Sequence, residues 1–232
     1  MNSSPDKSRE KIESMFDEIA PAYDRLNHLF TLNIDVKWRK EIIRHILSRK
    51  IPAEKILDIA SGTGDLTAEL ICLKPVTICS TDISSVMLEI QRKKISYGGL
   101  EIIQADAQKM PFENEYFDLV TIGFGVRNFN DLSGSLKEIF RVLKPGGKLI
   151  ILEMFRAGGL RTKLFNIYFG KIMPFVGNKI SNSNAYSYLF NSVSTFFRVN
   201  EFTILCEKNG FETEYVKNNF LGIVNTVYLE RR

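Results

Sequence analysis

Short apolar runs alternate with 3.6-residue apolar stripes from position 55 to about 153, a rhythm that predicts an α/β sheet of mostly parallel strands. The runs at 55–60, 76–81 (closed by Asp82), 100–105 (closed by Asp106), 117–124 and 148–153 are rich in Ile, Leu and Val and read as buried strands. Helices are predicted between them over 65–73, 85–96 and 132–143. Ser84 is placed to N-cap the second, and Lys144-Pro145-Gly146-Gly147 to stop the third before the strand at 148. A helix over 200–209, closed by Asn209-Gly210, and two late strands at about 212–218 and 222–230 return the chain to the sheet. Upstream, Ile12, Met15, Phe16, Ile19 and Ala20 form a helical stripe ended by Pro21. Residues 22–34 read as a short helix or ordered loop, and Trp38, Ile42, Ile43, Ile46 and Leu47 place a helix over about 35–49. Two units follow: a helical cap over 1–52, and a sheet domain over 53–232 that carries a helical lid at about 156–199, where Gly158-Gly159, Pro174 and Gly177 interrupt apolar stretches.

Composition narrows the function classes. The 232 residues carry 31 Lys and Arg against 27 Asp and Glu, a net charge of +4 with no long basic cluster. That balance argues against nucleic acid as a partner, and Arg92-Lys93-Lys94 reads as the solvated end of a helix. Three scattered cysteines, Cys72, Cys79 and Cys206, two of them in apolar settings, fit reduced thiols and a cytoplasmic protein. His28 and His45 are the only histidines and have no zinc-like spacing, so no metal is expected. The first residues lack the apolar stretch of a signal peptide, and no apolar run reaches the roughly 20 residues of a membrane span.

The chemistry gathers at the first strand–turn–helix, Leu57-Asp58-Ile59-Ala60-Ser61-Gly62-Thr63-Gly64-Asp65-Leu66. Glycines at 62 and 64 let the backbone approach a ligand closely, which points to a nucleotide-type cofactor. A dinucleotide fingerprint would need a third glycine where Thr67 stands, and Asp65 would repel a pyrophosphate at the helix start. S-adenosylmethionine (SAM) carries no phosphate, and Asp58 and Asp65 are candidates to hold its ammonium. Asp82 lies 20 residues after Gly62 at a strand tip, where an acid accepts from ribose hydroxyls. Asp106-Ala107 follows the third strand and can flank an adenine ring. Arg127 and Asn128, past the fourth strand, are expected near the transferred methyl, and Tyr23-Asp24 to form a substrate lip. Tyr186 and Tyr188 read either as helix packing or as part of that lip.

Tyr23-Asp24-Arg25-Leu26-Asn27 running to Trp38-Arg39, and Arg141 to Gly147 with Lys148 to Glu153, resemble the two signatures of the ubiquinone/menaquinone biosynthesis C-methyltransferases. Asp58 to Asp65 and Phe124 to Asn128 resemble that family too, and the likeness covers about residues 10–230. Thr31 stands where the family usually has serine, Asp35 where histidine is common, and Gly123 where serine is frequent. The resemblance implies a class I SAM-dependent methyltransferase fold with a seven-stranded sheet and cofactor contacts at Thr63, Asp82, Asp106 and Ala107. It also implies C-methylation of a demethylmenaquinol ring, the last step of menaquinone synthesis, with a ubiquinone precursor as the alternative substrate.

An arginine is too weak an acid to serve as a base at neutral pH. Arg127 is therefore expected to stabilise a hydroquinolate or polarise a water, with Asn128 positioning the ring and Tyr23 or Asp24 relaying the proton. Two other readings stand beside this one: a SAM enzyme for another small molecule, and a non-catalytic SAM-binding or scaffold protein. Leu164 to Val176, flanked by Arg161, Lys163, Lys171 and Lys179, is the most apolar stretch outside the sheet. It predicts weak, salt-sensitive contact with anionic lipid through residues 161–179 at the inner face of the cell membrane. An oligomer is compatible with the composition.

Overall fold

The computed structural model describes residues 5–156, 158 and 185–232, apart from the side chains of Phe30, Ala185 and Tyr186. Seven strands form one sheet: β1 (Lys55–Ile59), β2 (Thr77–Asp82), β3 (Leu100–Gln104), β4 (Phe117–Gly123), β5 (Leu143–Met154), β6 (Phe211–Phe220) and β7 (Val224–Arg231). Their order is β3-β2-β1-β4-β5-β7-β6. All neighbours are parallel except β7, which runs antiparallel to both β5 and β6.

Side chains alternate between the faces with the period of two that a strand imposes. Leu57, Ile59, Val120, Ile122, Leu149, Ile151, Val227 and Leu229 enter one core with α6 (Leu132–Val142) and a late helix, Val199–Lys208. Ile56, Ile78, Leu119, Ile150, Leu152 and Tyr228 enter the other. There they meet α3 (Ile34–Arg49) through Trp38, Ile42, Ile43 and Ile46, and α4 (Asp65–Leu70) through Leu66 and Leu70. A third, smaller cluster packs Ile19 and Ala20, at the end of α1 (Arg9–Ile19), on Met87 of α5 (Ser85–Lys94). Ser84 caps α5 as expected, its Oγ accepting from the Met87 N–H at 3.0 Å. Residues 22–34, read as helix or loop, hold a helix, α2 (Tyr23–Thr31), that ends on Leu32 in the left-handed region.

One boundary differs from its sequence reading. Lys144-Pro145-Gly146-Gly147 does not precede the fifth strand but lies within it: Leu143 already pairs with Phe117, and pairing resumes at Lys148 with Leu119. The extra residues form a bulge, which an antiparallel or parallel ladder tolerates without losing its register beyond the bulge. Arg141 pins the approach by donating to the Met110 and Phe112 carbonyls and to Glu138 and Asn114. The helix Ala185–Thr195 is α7 and Val199–Lys208 is α8. Most of the expected lid, including residues 161–179, lies outside the described residues. Among the described residues, no helix is long and apolar enough to cross a membrane.

Candidate active site

Strand order reverses between β1 and β4, with β2 on one side and β5 on the other. Parallel strands lead away in opposite directions there, which opens a crevice past their carboxyl ends. Both strands leave the sheet on a residue held at positive φ: Ala60 at 53° and Phe124 at 58°. Such a conformation is costly for a side-chain-bearing residue. It is held by close packing, since a Cβ on Gly125 would come within 2.4 Å of the Ala60 Cβ. The turn itself passes through Gly62 at φ 56°, where a Cβ would meet only the Tyr23 ring at 4.0 Å.

Beneath the turn lies a buried polar network. Asp58 is fully buried and accepts from the Thr67 hydroxyl at 2.6 Å and the Thr121 hydroxyl at 2.7 Å. Gln91 ties Thr67 to Ser80 and accepts from Ser61. Burial pushes the Asp58 carboxyl up to about 6, against the downward pull of the two hydroxyls. Asp82 at the tip of β2 accepts from the Gly62 N–H and the Ser84 N–H, each at 2.9 Å. Each of its oxygens keeps a lone pair for a further donor. Burial raises its pKa, partly offset by those backbone donors.

Two chambers open on the crevice. The smaller, about 100 Å³, is lined by Gly62, Asp82, Asp106, Ala107 and Asn128. The larger, about 540 Å³, is lined by apolar Trp38, Leu66, Leu152, Met154, Leu189 and Ile223, with Thr63 and Arg127 in its wall. Tyr23, Ala60, Gly62, Gly123 and Phe124 border both, so they form the neck between them.

Arg127 is 6% exposed and lies past β4, against the end of β5. Its Nη1 donates to the Phe124 carbonyl at 2.6 Å and to Glu153 at 2.7 Å. Burial pulls its pKa down, but Glu153 and Tyr23 more than reverse that, and the guanidinium stays charged. Its buried Nε has no partner among the described residues, an omission that costs about 1–3 kcal/mol. Asn128 accepts from the Tyr188 hydroxyl at 3.1 Å, which fixes the orientation of its amide. Burial raises the Tyr23 phenol and lifts that of Tyr188 to about 12, so both stay protonated at neutral pH.

The sequence-predicted residues divide accordingly. Gly62, Asp82, Asp106, Ala107, Asn128 and Tyr23 meet around the small chamber. Asp58, Thr63, Arg127 and Tyr23 meet around the large one. Gly64 and Asp24 line neither. Gly64 starts α4 at φ 87° against Gln91 and Ile95. Asp24, expected at the substrate lip, is instead bonded to the Thr63 hydroxyl and, at 2.8 Å, to Lys94.

Asp65, weighed for the SAM ammonium, is taken up by Lys94 and by Arg39 at 2.9 Å. Lys94 is therefore a bridge between cap and turn rather than a solvated helix end. Arg39 also bonds Asp35 at 2.7 Å, and Asp35 bonds His28 at 2.8 Å and Thr31 at 2.6 Å. His28, Asp35 and Asp65 could reach one cation, and the Arg39 guanidinium supplies it. The Tyr186 side chain lies outside the described residues. Sequence reasoning passed over Glu153, the partner of Arg127; a lone acid ending the apolar run 149–152 was its signal.

Asp82 with free lone pairs, an open Gly62 turn and a small-residue wall at Ala107 fit a ribose and an adenine, while the helix start after the turn carries the carboxylate of Asp65, which would repel a pyrophosphate. This fold and this set of donors and acceptors define a class I SAM-dependent methyltransferase. Two solved methyltransferases share the fold: one from Thermotoga maritima, with TM-score 0.68, 22% identity and coverage of 94% of this chain and 99% of that one; another from Aquifex aeolicus, with TM-score 0.58, 15% identity and coverage of 81% and 89%. The model of the ubiE/COQ5 methyltransferase family matches residues 4–228, and the chain belongs to that family. It is 43% identical to the demethylmenaquinone methyltransferase of Chlorobaculum tepidum, over 92% of this chain and 90% of that protein. It is 40% identical to the ubiquinone/menaquinone biosynthesis C-methyltransferase UbiE of Geotalea daltonii, over 94% and 95%.

Proposed function

We propose that the protein methylates a ring carbon of demethylmenaquinol, completing menaquinone. The observation that carries this reading is the larger chamber: an apolar cavity with a buried, charged arginine in its wall, joined by a neck to the cofactor chamber. Relatives named demethylmenaquinone methyltransferase, at 43% identity in Chlorobaculum tepidum and 38% in Thermotoga maritima, support it.

SAM supplies an already activated methyl on its sulfonium. The work left to the chain is alignment, worth ~7–11 kcal/mol when reacting atoms are well placed, and stabilisation of the nucleophile. Asp82 takes the ribose hydroxyls on its spare lone pairs, and Asp106 and Ala107 flank the base. The Thr63 hydroxyl proton is committed to Asp24, which leaves the Thr63 lone pairs for the ammonium. Trp38, Leu152 and Met154 hold the ring and exclude water. A ring carbon becomes nucleophilic as its hydroxyl loses a proton, and the charge that develops on that oxygen is met by Arg127. Asn128, oriented by Tyr188, reaches the ring from the cofactor chamber's side, and Tyr23 offers a protonated phenol at the neck. Since Asp24 faces neither chamber, its part is to fix the turn.

The chamber's mouth supports a second part of this reading, contact with a lipid surface. Leu32 is 75% exposed and Leu221 46%, and both line the chamber. Both are held at positive φ, 52° and 48°. Phe220 and Ile34 join them at the rim, and Lys37 stands one turn beyond Ile34 with no ion-pair partner among the described residues. Exposed apolar tips beside a cation suit insertion between anionic headgroups, where an isoprenoid tail would be handed over.

The test is the quinone content of cells lacking this chain. Accumulation of demethylated menaquinone, reversed by the intact gene but not by an Asp82→Ala copy, is expected. An unchanged quinone profile would contradict the assignment, and accumulation of a ubiquinone precursor alone would redirect it.

A further inference from the structure

The carboxylate of Glu153 is fully buried at the end of β5 and grips Arg127 at two points. Its Oε1 accepts from Arg127 Nη1 at 2.7 Å and from the Met154 N–H at 2.6 Å. Its Oε2 accepts from the Arg127 backbone N–H at 3.2 Å. One carboxylate thus fixes both the start of the residue and the tip of its side chain. The Phe124 carbonyl, displaced by that residue's positive φ, takes a second bond from Nη1. With Nη1 doubly engaged on the protein side, the guanidinium cannot rotate without breaking two charge-assisted or short contacts. The donors left over lie on the other edge of the guanidinium: Nε, buried and without a partner, and Nη2, which has no bond among the described residues, in a side chain that borders the large chamber.

We propose that Glu153 is a positioning residue for methyl transfer: it aims the free N–H edge of Arg127 at the ring oxygen on which charge develops. The inference rests on the reading of the large chamber as the acceptor site. Glu153 touches no substrate itself and acts through Arg127. A carboxylate in this place has two opposed effects. Its charge cancels that of Arg127 and so disfavours a ring anion nearby, whereas its geometry holds the donor where the anion forms. The proposal is that geometry dominates, because a preorganised donor at a dry site works without reorganising.

Glu153→Asp keeps the charge and withdraws the carboxylate by one methylene; Glu153→Gln keeps the length and removes the charge. Each is assayed for kcat against pH, for KM, and for SAM affinity by calorimetry, on whichever aromatic acceptor the wild type methylates. Failure of demethylmenaquinol as that acceptor would sink the quinol reading while leaving Glu153 measurable on another. The expected result is a kcat at least tenfold lower in Glu153→Asp, with SAM Kd within threefold of wild type. The acid limb of the kcat profile should also move to higher pH in both variants, as the ring hydroxyl loses its aimed donor. A limb that moves to lower pH in Glu153→Gln would make Glu153 only a neutralising charge and overturn the proposal, as would wild-type kcat in Glu153→Asp. Should either variant fold poorly, Arg127→Met is compared with Arg127→Met/Glu153→Gln, which removes both charges together. Equal rates in those two are expected; a further fall on losing Glu153 when Arg127 is already gone would contradict the role.

Discussion

Asp82, Asp58 and Arg127 are three charged groups drawn out of water for three different ends. Asp82 spends one lone pair of each oxygen on the turn and keeps the others, which the proposed function gives to a ribose. Asp82→Asn is expected to weaken SAM binding by about 1–3 kcal/mol. Because burial raises its pKa, wild-type affinity should begin to fall on acidification before the pH reaches the ordinary carboxylate range, while the variant stays flat; calorimetry at successively lower pH checks both. Asp58 braces the turn from below. Its carboxyl stands at about 6 in the folded protein against an ordinary 3.8, so the folded state binds the proton more tightly than the unfolded chain. Stability from this group is therefore gained as pH falls through 6, on the order of 2 kcal/mol by pH 4.5. Denaturant titration of wild type and Asp58→Asn should show the wild type gaining relative to the variant between pH 7 and 4.5; parallel curves would contradict the burial argument. Arg127→Lys keeps the charge but loses the planar donor edge. It should lower kcat about tenfold or more with SAM Kd within about threefold, and an equal loss in both would make Arg127 a wall of the cofactor pocket.

Elements were the most legible scale in the sequence. Short apolar runs bounded by turn signals marked the strands, and Ser84 and Asn209-Gly210 marked helix ends, because these signals are local. The start of β5 was misread for the same reason: Pro145-Gly146-Gly147 has the chemistry of a turn, and only the pairing of Leu143 with Phe117 reveals a bulge. Lys94 looked like a solvated helix end because its partners, Asp24 and Asp65, are 70 and 29 residues away. Glu153 was hidden likewise, since an acid closing a strand says nothing of the arginine 26 residues earlier that it meets. The two turns at the chamber mouth carry their own prediction. Leu32→Ser/Leu221→Ser should reduce sedimentation with anionic vesicles severalfold while leaving turnover of a tail-less acceptor near the wild-type rate. Equal sedimentation of both proteins would remove this rim as the docking face.

Across the whole molecule, the cap and the sheet are joined by charge as much as by packing. Arg39 and Lys94 hold Asp65, Lys94 also holds Asp24, and Asp24 takes the Thr63 hydroxyl, so helices α2 and α3 report directly on the cofactor turn. The large chamber is enclosed between them and the sheet, and Arg127 in its wall stands across the neck from Asp106 and Ala107 of the smaller chamber. The reaction this arrangement supports requires a reduced ring, because only a hydroquinol oxygen can load charge onto the carbon that attacks. The direct measurement is transfer of a labelled methyl from SAM by the purified protein to demethylmenaquinol and to the oxidised demethylmenaquinone, with the position of the label read by mass spectrometry and NMR. The account predicts label on a ring carbon of the reduced acceptor and none on the oxidised one. Label on oxygen, equal transfer to both, or none to either would contradict it.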